Sequence, residues 1–326
     1  MVTLPETLPA RPALQPWYRI LHEEDRLLLQ YGETLVCFEG RAVSRLLPAL
    51  LPLLDGSRSV DEIVEVLGLA ARPAVVKALA LLNQHGLLSE RTPGGVDDSA
   101  RRSAEFLAAT DPLGRAPPAL IARLERAAVA VVGSGPLAAE VASSLRRSGL
   151  GGLERLPLDG AQAALERLEL AVTAPAGEEL PELSAWNQSA LRAALSWLQV
   201  LPFDGLFAAV GPLYVPGESA CYECFRVRRA SNVEHGRQFL ALQDVGVPLP
   251  AAASVEQAVA GLAATLALRW LVHRDQFLPG TWYALELGPQ PALQAHVVYR
   301  VPRCRACSGL GRTAQPLPWH KGAAAL

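Results

Sequence analysis

The chain has 326 residues, of which half are hydrophobic and 19% are charged. A chain of this length has room for two domains with ordinary hydrophobic cores, so it does not need disulfides for stability. The formal net charge of −2 gives no electrostatic footprint for nucleic acid or for an anionic membrane. The sequence shows neither an uninterrupted apolar run of about eighteen residues nor a signal peptide, and we therefore expect a cytoplasmic protein.

The first part of the chain predicts an extended arm followed by a small domain. Residues 1–16 are rich in Pro and Leu and predict the arm, while residues 17–90 predict three strands and then three helices. The second helix begins with Ser59 and Glu62, which have the spacing of a capping box. This order is typical of a winged-helix-like domain. The expected strands are Tyr18–Leu21, Arg26–Gln30 and Thr34–Phe38, and the expected helices are about Ala42–Leu54, Ser59–Leu67 and Arg72–His85.

Residues 91–126 predict a helical linker, with a polar boundary at Arg91–Ser99 and helices at Ser99–Ala109 and Pro117–Arg126. From residue 127 to residue 307 the pattern changes to strand, glycine turn, helix and strand, which predicts a Rossmann-like, mostly parallel and doubly wound α/β domain. Residues 308–326 predict a flexible tail. In the α/β domain we expect strands at Ala128–Val132, Leu153–Leu158, Leu168–Thr173, Leu198–Leu201 and Leu206–Val210, helices at Pro136–Ser148, Ala185–Leu195 and Val255–Val272, and an antiparallel pair at Trp282–Leu287 and His296–Val301.

Four of the five cysteines form two C-x-x-C pairs, Cys221/Cys224 and Cys304/Cys307. In a cytosolic chain two such pairs predict one tetrahedral zinc site, which ties distant parts of a domain together. A closed shell of four thiolates leaves no position for water, so the zinc is expected to be structural. A redox disulfide or four buried thiols are the alternatives. Cys37, in an alternating apolar strand, is expected to be a buried packing residue.

The segment from Gly133 to Ala138 matches G-x-G-x-x-A between a predicted strand and a predicted helix, which favours a phosphate-binding turn. Asp159 follows Ala138 by 21 residues, at the position of a ribose-binding acid. Pro136, however, removes one backbone N–H from the helix start, and no lysine lies between Asp159 and Gly205. We therefore expect Gly133, Gly135 and Asp159 to form a vestigial nucleotide pocket, with ATP not used by this chain; a functional pocket is the alternative.

The winged-helix-like domain invites a DNA-binding interpretation, which its charge opposes. Residues 17–90 hold seven Arg/Lys against ten Asp/Glu, a net charge of −3. Phosphate contacts dominate affinity for nucleic acid, so we expect no nucleic-acid partner. An edge strand beside an apolar helix suits an added peptide strand instead. The residues expected to bind the peptide are Leu35, Val36, Phe38, Val75, Ala78, Leu79 and Leu82, of which some must serve the domain's own core.

The order of these motifs resembles a known assembly. Residues 17–90 look like the PqqD-like recognition element for precursor peptides, on the residues Leu51-Pro52-Leu53-Leu54-Asp55-Gly56 and Ser59-Val60-Asp61-Glu62-Ile63. Ala128–Cys307 resembles the ThiF-like, ubiquitin-activating-type domain of the cyclodehydratase partner proteins of thiazole/oxazole-modified peptides. The residues that carry this second resemblance are Val131–Ala138, Gly211–Cys224 and Pro302–Cys307.

The resemblance implies a division of labour. Such a partner protein binds zinc and the leader segment of a ribosomally made precursor, while a separate YcaO-type enzyme uses ATP to cyclise Cys, Ser or Thr side chains of the core peptide. The chain is expected to have no catalytic residue of its own, and a homodimer is one alternative for its assembly. The competing functions are an adenylating ThiF-like enzyme and a DNA-binding regulator.

Overall fold

The structure is a computed structural model that describes residues 8–23, 25–90, 97–111, 115–159 and 165–309. It divides into two compact units, Met1–Arg123 and Leu124–Leu326. Parts of the sequence expectations lie outside the described residues: residues 1–7 of the arm, residues 91–96 and 112–114 of the linker, residues 160–164 of the α/β domain, and residues 310–326 of the tail.

The first unit contains two small antiparallel sheets. Strand β1 (Pro12–Leu14) pairs with β5 (Leu88–Glu90), so the end of the predicted arm joins the sheet structure. The strands β2 (Arg19–His22), β3 (Arg26–Tyr31) and β4 (Thr34–Glu39) form a meander with β3 in the centre. All three lie within one residue of the predicted bounds. Leu27 and Leu29 of β3 are fully buried, whereas Arg26 and Gln30 are exposed, which is the alternation expected of a half-buried strand.

The helices of the first unit are α1 (Arg41–Arg45), α2 (Leu47–Leu50), α3 (Val60–Leu67), α4 (Arg72–Gln84), α5 (Asp98–Ala109) and α6 (Pro117–Glu125), the last of which crosses the boundary between the units. The prediction of one helix over Ala42–Leu54 is wrong. Pro48 and Pro52 are the second residues of α2 and of a 3-10 turn, Leu51–Leu53, and so lie in a first turn, because proline lacks the N–H that an interior position would use.

The predicted capping box at the start of α3 is confirmed. The Ser59 side chain accepts a hydrogen bond from the Glu62 N–H at 3.2 Å, and the Glu62 carboxylate accepts one from the Ser59 N–H at 2.6 Å. Ile63 and Val64 of α3 pack with Val75, Leu79 and other buried aliphatic residues into one core. The description of this unit as winged-helix-like stays a prediction.

The second unit is built on a seven-stranded mixed sheet in the order β12-β11-β10-β9-β8-β6-β7. Strands β6, β7, β8 and β9 are parallel, whereas β10, β11 and β12 continue the sheet in antiparallel fashion. The α/β, Rossmann-like class is thus confirmed, with fewer parallel strands than expected. The strands are β6 (Ala128–Val132), β7 (Gly152–Leu156), β8 (Leu170–Thr173), β9 (Trp197–Leu201), β10 (Phe207–Tyr214), β11 (Thr281–Glu286) and β12 (Ala292–Val297).

The helices of the second unit are α7 (Gly135–Arg147), α8 (Leu183–Arg192), α9 (Tyr222–Ala230), α10 (Gly236–Leu242) and α11 (Ala253–His273). Helix α11 contacts α7 and three strands of the sheet. It is the one described helix long and apolar enough to cross a membrane, but 56% of its apolar window is buried inside the protein. That burial is typical of a core helix.

Candidate metal centre and peptide groove

The four paired cysteines come together in the second unit, and all four are buried. The sulfur of Cys221 lies 3.8 Å from that of Cys224 and 3.7 Å from that of Cys304, and Cys224 lies 3.7 Å from Cys307. Zn–S bonds of about 2.3 Å in a tetrahedron place their sulfurs about 3.8 Å apart. The four side chains therefore form a closed shell that fits zinc. No disulfide joins these cysteines.

The chain holds the first cysteine pair at the start of a helix. Cys221 is the N-cap of α9, and Cys224 lies in its first turn, where the partial positive charge of the helix stabilises a thiolate. The N–H of Tyr222 donates to Oδ1 of the fully buried Asn187 in α8 at 3.1 Å. Helix α8 is thereby tied directly to the first cysteine pair.

Arg300 connects the two cysteine loops. Its guanidinium donates a hydrogen bond of 3.0 Å to the carbonyl of Gly217, a residue just before the first cysteine pair. It donates another of 2.9 Å to the carbonyl of Cys307, which belongs to the second pair. The Val301 N–H donates to the Cys224 sulfur at 3.3 Å. Outer contacts of this kind orient metal ligands and adjust their basicity. In the sequence, only the position of Arg300 shortly before the second C-x-x-C pair indicates such a role, and this signal is too weak to predict it.

The pKa shifts of the cysteine thiols indicate that a cation between the sulfurs would stabilise their ionised form. Hydrogen bonds from Cys221 and Cys307 lower the pKa of the Cys224 thiol, so this sulfur is the first to ionise. The contact with Cys224, followed by that with Cys307 and by burial, raises the pKa of the Cys221 thiol. Four buried thiols at this spacing cannot all ionise unless a positive charge lies between them, and a zinc ion bound there would supply that charge.

The carboxylate of Glu179 lies beside the glycine turn between β6 and α7. Oε2 of Glu179 accepts hydrogen bonds from the Ser134 N–H at 2.9 Å and from the Ala176 N–H at 2.8 Å. Gly133 is packed so closely that an added Cβ would lie 2.4 Å from the Ala174 carbonyl oxygen. A phosphate-binding turn would offer the Ser134 N–H to its ligand. In this protein Glu179 takes that hydrogen bond.

The three residues of the predicted nucleotide pocket are placed as follows. Gly133 and Gly135 have φ angles of +126° and +83°, which only glycine adopts without strain. Asp159 is exposed and lies three residues after the end of β7. Glu179 was missed in the sequence analysis. The only local signal was its position three residues after Ala176, which is the spacing of a capping acid.

The first unit has an apolar cavity of about 210 Å³ between the end of β4 and helix α4. β4 is the end strand of its sheet and, among the described residues, pairs only with β3. β4 therefore has one edge whose backbone N–H and C=O groups can pair with an added strand, and its end residues Phe38 and Glu39 line the cavity. The cavity is lined by Phe38, Glu39, Val43, Leu47, Ala74, Lys77, Ala78, Leu81 and Leu82.

The structure separates the seven residues that were predicted to bind a peptide. Phe38, Ala78 and Leu82 line the cavity, and Val36 packs against the core on the same face of β4. Val75 and Leu79 are fully buried in the core. Leu35 is 60% exposed on the opposite face of the sheet. Whether these residues bind a peptide stays a prediction, and Val43, Leu47 and Lys77 join the candidate set.

Cys37 is exposed, which corrects the expectation of a buried packing residue. Phe38 of β4 faces the core, so its neighbour in the strand must face the other side of the sheet. The Cys37 thiol lies 3.9 Å from the Glu39 carboxylate on that outer side.

The fold matches solved structures of two heterocyclases and of the E. coli enzyme MccB. The heterocyclase TruD is 25% identical with a TM-score of 0.68, over 92% of this chain and 43% of that chain. A heterocyclase in complex with substrate and cofactor is 24% identical with a TM-score of 0.70, over 91% of this chain and 39% of that one. The chain therefore spans about two fifths of the length of these heterocyclases.

The E. coli enzyme MccB in complex with MccA-N7isoASN is also similar, with 16% identity and a TM-score of 0.57 over 91% of this chain and 99% of that chain. At this identity the likeness concerns the fold alone. No protein-family model matches the chain, and no curated protein matches it either. The fold of this chain is thus similar to nearly the whole of MccB, and to about two fifths of each heterocyclase.

Proposed function

We propose that this chain binds the leader segment of a ribosomally made precursor peptide and presents it to a YcaO-type cyclodehydratase on another chain. The observation that carries the proposal is the end strand β4 beside the apolar cavity in the first unit. Solved relatives of the same fold include a heterocyclase bound to its substrate and MccB bound to MccA, which supports a role in peptide modification. The separate YcaO-type partner is taken from the family resemblance.

We use the name groove for the free edge of β4 (Thr34–Glu39) together with the cavity at its end. The groove offers the two features of a peptide-binding site, a strand edge and a side-chain pocket. The outer N–H and C=O groups of β4 accept an added strand and contribute affinity that depends little on sequence. The cavity of about 210 Å³ accepts an apolar side chain of that strand and provides selectivity. Glu39 and Lys77 lie at the wall with opposite charges and so favour neither an acidic nor a basic ligand.

A single substitution in the groove tests the proposal. Ala78 is partly buried in the cavity wall, so Ala78→Glu places a carboxylate where the peptide side chain should pack. Desolvating that charge should cost about 3 kcal/mol and weaken binding about a hundredfold. Fluorescence polarisation with the labelled leader segment of a Cys/Ser/Thr-rich precursor peptide measures the affinity, and circular dichroism confirms that the variant folds.

Val76→Glu is the matched control. Val76 lies in the same helix, is 37% exposed and is not among the lining residues of the cavity, so its variant adds the same charge outside the groove. We expect Val76→Glu to bind as tightly as the unchanged protein. Equal affinity for both variants, with both folded, would place the peptide elsewhere and overturn the proposal.

A further inference from the structure

A cavity of about 530 Å³ opens in the second unit between helix α8 and the loop that carries Cys304 and Cys307. Its walls come from α8, from the first turn of α9 and from that loop. None of the four cysteines is among the lining residues, so the cavity is separate from the candidate metal centre. It is lined by Gln188, Leu191, Arg192, Glu223, Arg305 and Ala306.

Two of these side chains are arginines without a carboxylate partner among the described residues. Arg192 is the last residue of α8, and its guanidinium donates to Oγ of the buried Ser189 at 3.0 Å, which holds it at the wall. Arg305 makes no hydrogen bond or ion pair with a described residue. Between residues 287 and 309 the chain has three arginines and no Asp or Glu, so the loop supplies no acid of its own. A guanidinium has five N–H donors, and both arginines therefore keep donors for a ligand.

The acid in the wall already has partners. Oε1 of Glu223 accepts a hydrogen bond from the Ser184 hydroxyl at 2.7 Å and lies 3.6 Å from the Arg226 guanidinium, which also contacts Asp244 at 2.7 Å. Three arginines and two acids leave a net charge of +1 at this wall. A carboxylate balances that charge, whereas the second negative charge of a phosphate would be repelled by Glu223.

The cavity also has an apolar part. Leu191 of α8 and Ala306 of the cysteine loop both line it, and both are only partly exposed. A ligand that covers these two side chains removes apolar surface from water and is stabilised by that burial. The wall therefore suits a molecule that has an apolar body beside its charged group.

From these features we infer that the cavity binds a carboxylate carried on an apolar body, with the guanidinium groups of Arg192 and Arg305 as its partners. An engineered cavity of about 150 Å³ holds benzene, so a volume of about 530 Å³ accommodates a ring with a carboxylate arm. The carboxylate can belong to a small organic acid or to an acidic side chain of a polypeptide. This inference does not depend on the groove in the first unit, and either can fail without the other.

The test uses matched probes and the full-length protein loaded with zinc. Fluorine NMR titration measures the affinity of 4-fluorophenylacetate and of the matching neutral amide. We expect the acid to bind about tenfold more tightly at low salt. Arg192→Gln and Arg305→Gln should each weaken the acid about threefold, the value of one exposed charge pair, and leave the amide unchanged. The double variant should bind both probes equally.

Arg303→Gln is the control for charge. Arg303 is exposed on the same loop but is not among the lining residues, so its variant removes an equal charge outside the cavity. We expect it to bind the acid as the unchanged protein does. Zinc content, measured for every variant, shows that the cysteine loop is intact.

A steric variant tests the position of the site. Gln188 is exposed on α8 and lines the cavity, so Gln188→Trp should fill it and abolish binding of both probes. Ala185→Trp is its control, since Ala185 is exposed on the same helix and does not line the cavity. Displacement of the acid probe by acetyl-Leu-Glu-Leu-amide at lower concentration than by phenylacetate assigns the carboxylate to a polypeptide; the reverse order assigns it to a small acid.

Four results would overturn the inference. The first is equal affinity of the unchanged protein for the acid and the amide. The second is a preference for the acid that survives in the double variant. The third is an equal loss of acid affinity in Arg303→Gln and Arg305→Gln, which would indicate a diffuse charge effect. The fourth is tighter binding of 4-fluorophenyl phosphate than of the acid.

Discussion

Arg300 shows how one side chain can hold the metal centre together. It joins the Gly217 and Cys307 carbonyls, which belong to the two loops that carry the cysteine pairs. We expect Arg300→Ala to keep one zinc per chain but to weaken zinc affinity by about 10–100-fold, because outer contacts orient the ligands. Competition with a chromophoric chelator measures this change.

The neighbouring Arg305→Ala is the control for Arg300. Arg305 is exposed on the second cysteine loop and has the same charge. We expect its variant to bind zinc as the unchanged protein does. If the two variants release zinc equally readily, the carbonyl contacts of Arg300 do not support the site.

Glu179 is expected to stabilise the fold as a capping residue. It accepts hydrogen bonds from the Ser134 and Ala176 N–H groups and so caps two segments at once. Glu179→Ala should lower the free energy of unfolding by about 1 kcal/mol, as loss of a cap does, and lower Tm by about 2–4 °C. Scanning calorimetry checks this, with the exposed Glu178→Ala as control. Equal Tm values for the two variants would contradict the capping role.

Among the structural elements, a metal held by the four cysteines should stabilise those of the second unit and leave the stability of the first unit unchanged. The cysteine pairs lie at the start of α9 and after β12, so a zinc ion held by them would join segments that are distant along the chain. Cys304→Ser should abolish stoichiometric zinc and destabilise the second unit by several kcal/mol, because metal binding is coupled to folding. Metal analysis and hydrogen exchange resolved by unit measure both effects, and residues 17–90 should keep their protection.

Cys37→Ser is the matched control for this change. Cys37 is exposed and does not belong to the cluster, so its loss should alter neither zinc content nor hydrogen exchange. A zinc-free Cys304→Ser protein whose second unit is as stable as before would contradict a structural metal.

The elements that the sequence predicted well have strong local signals. β6 begins and ends at the predicted residues, since a short apolar run is followed directly by a glycine turn. The cysteine cluster followed from the two C-x-x-C pairs alone, because two such pairs together are typical of a tetrahedral metal site.

Other elements depend on contacts between residues that are distant in the sequence, or on short loops that leave only a weak local signal. The loop between β9 and β10 has only five residues, too short for a crossover, and this favours the antiparallel strand that we did not predict. β12 begins at Ala292, four residues before the predicted start at His296, because the register of its hairpin with β11 decides where pairing begins. The contact of Glu179 with Ser134 spans 45 residues and leaves no periodic trace in the sequence.

For the whole molecule, the proposed division of labour predicts that the chain alone is catalytically silent. Glu179 takes the Ser134 N–H that a nucleotide phosphate would need, and Pro136 supplies none. We expect the purified protein with its precursor to show neither ATP hydrolysis nor pyrophosphate exchange. Precursor mass should stay constant until a YcaO-type enzyme and ATP are added, and should then fall by one water per ring. Pyrophosphate exchange by the chain alone, lost on Asp159→Ala, would instead identify an adenylating enzyme.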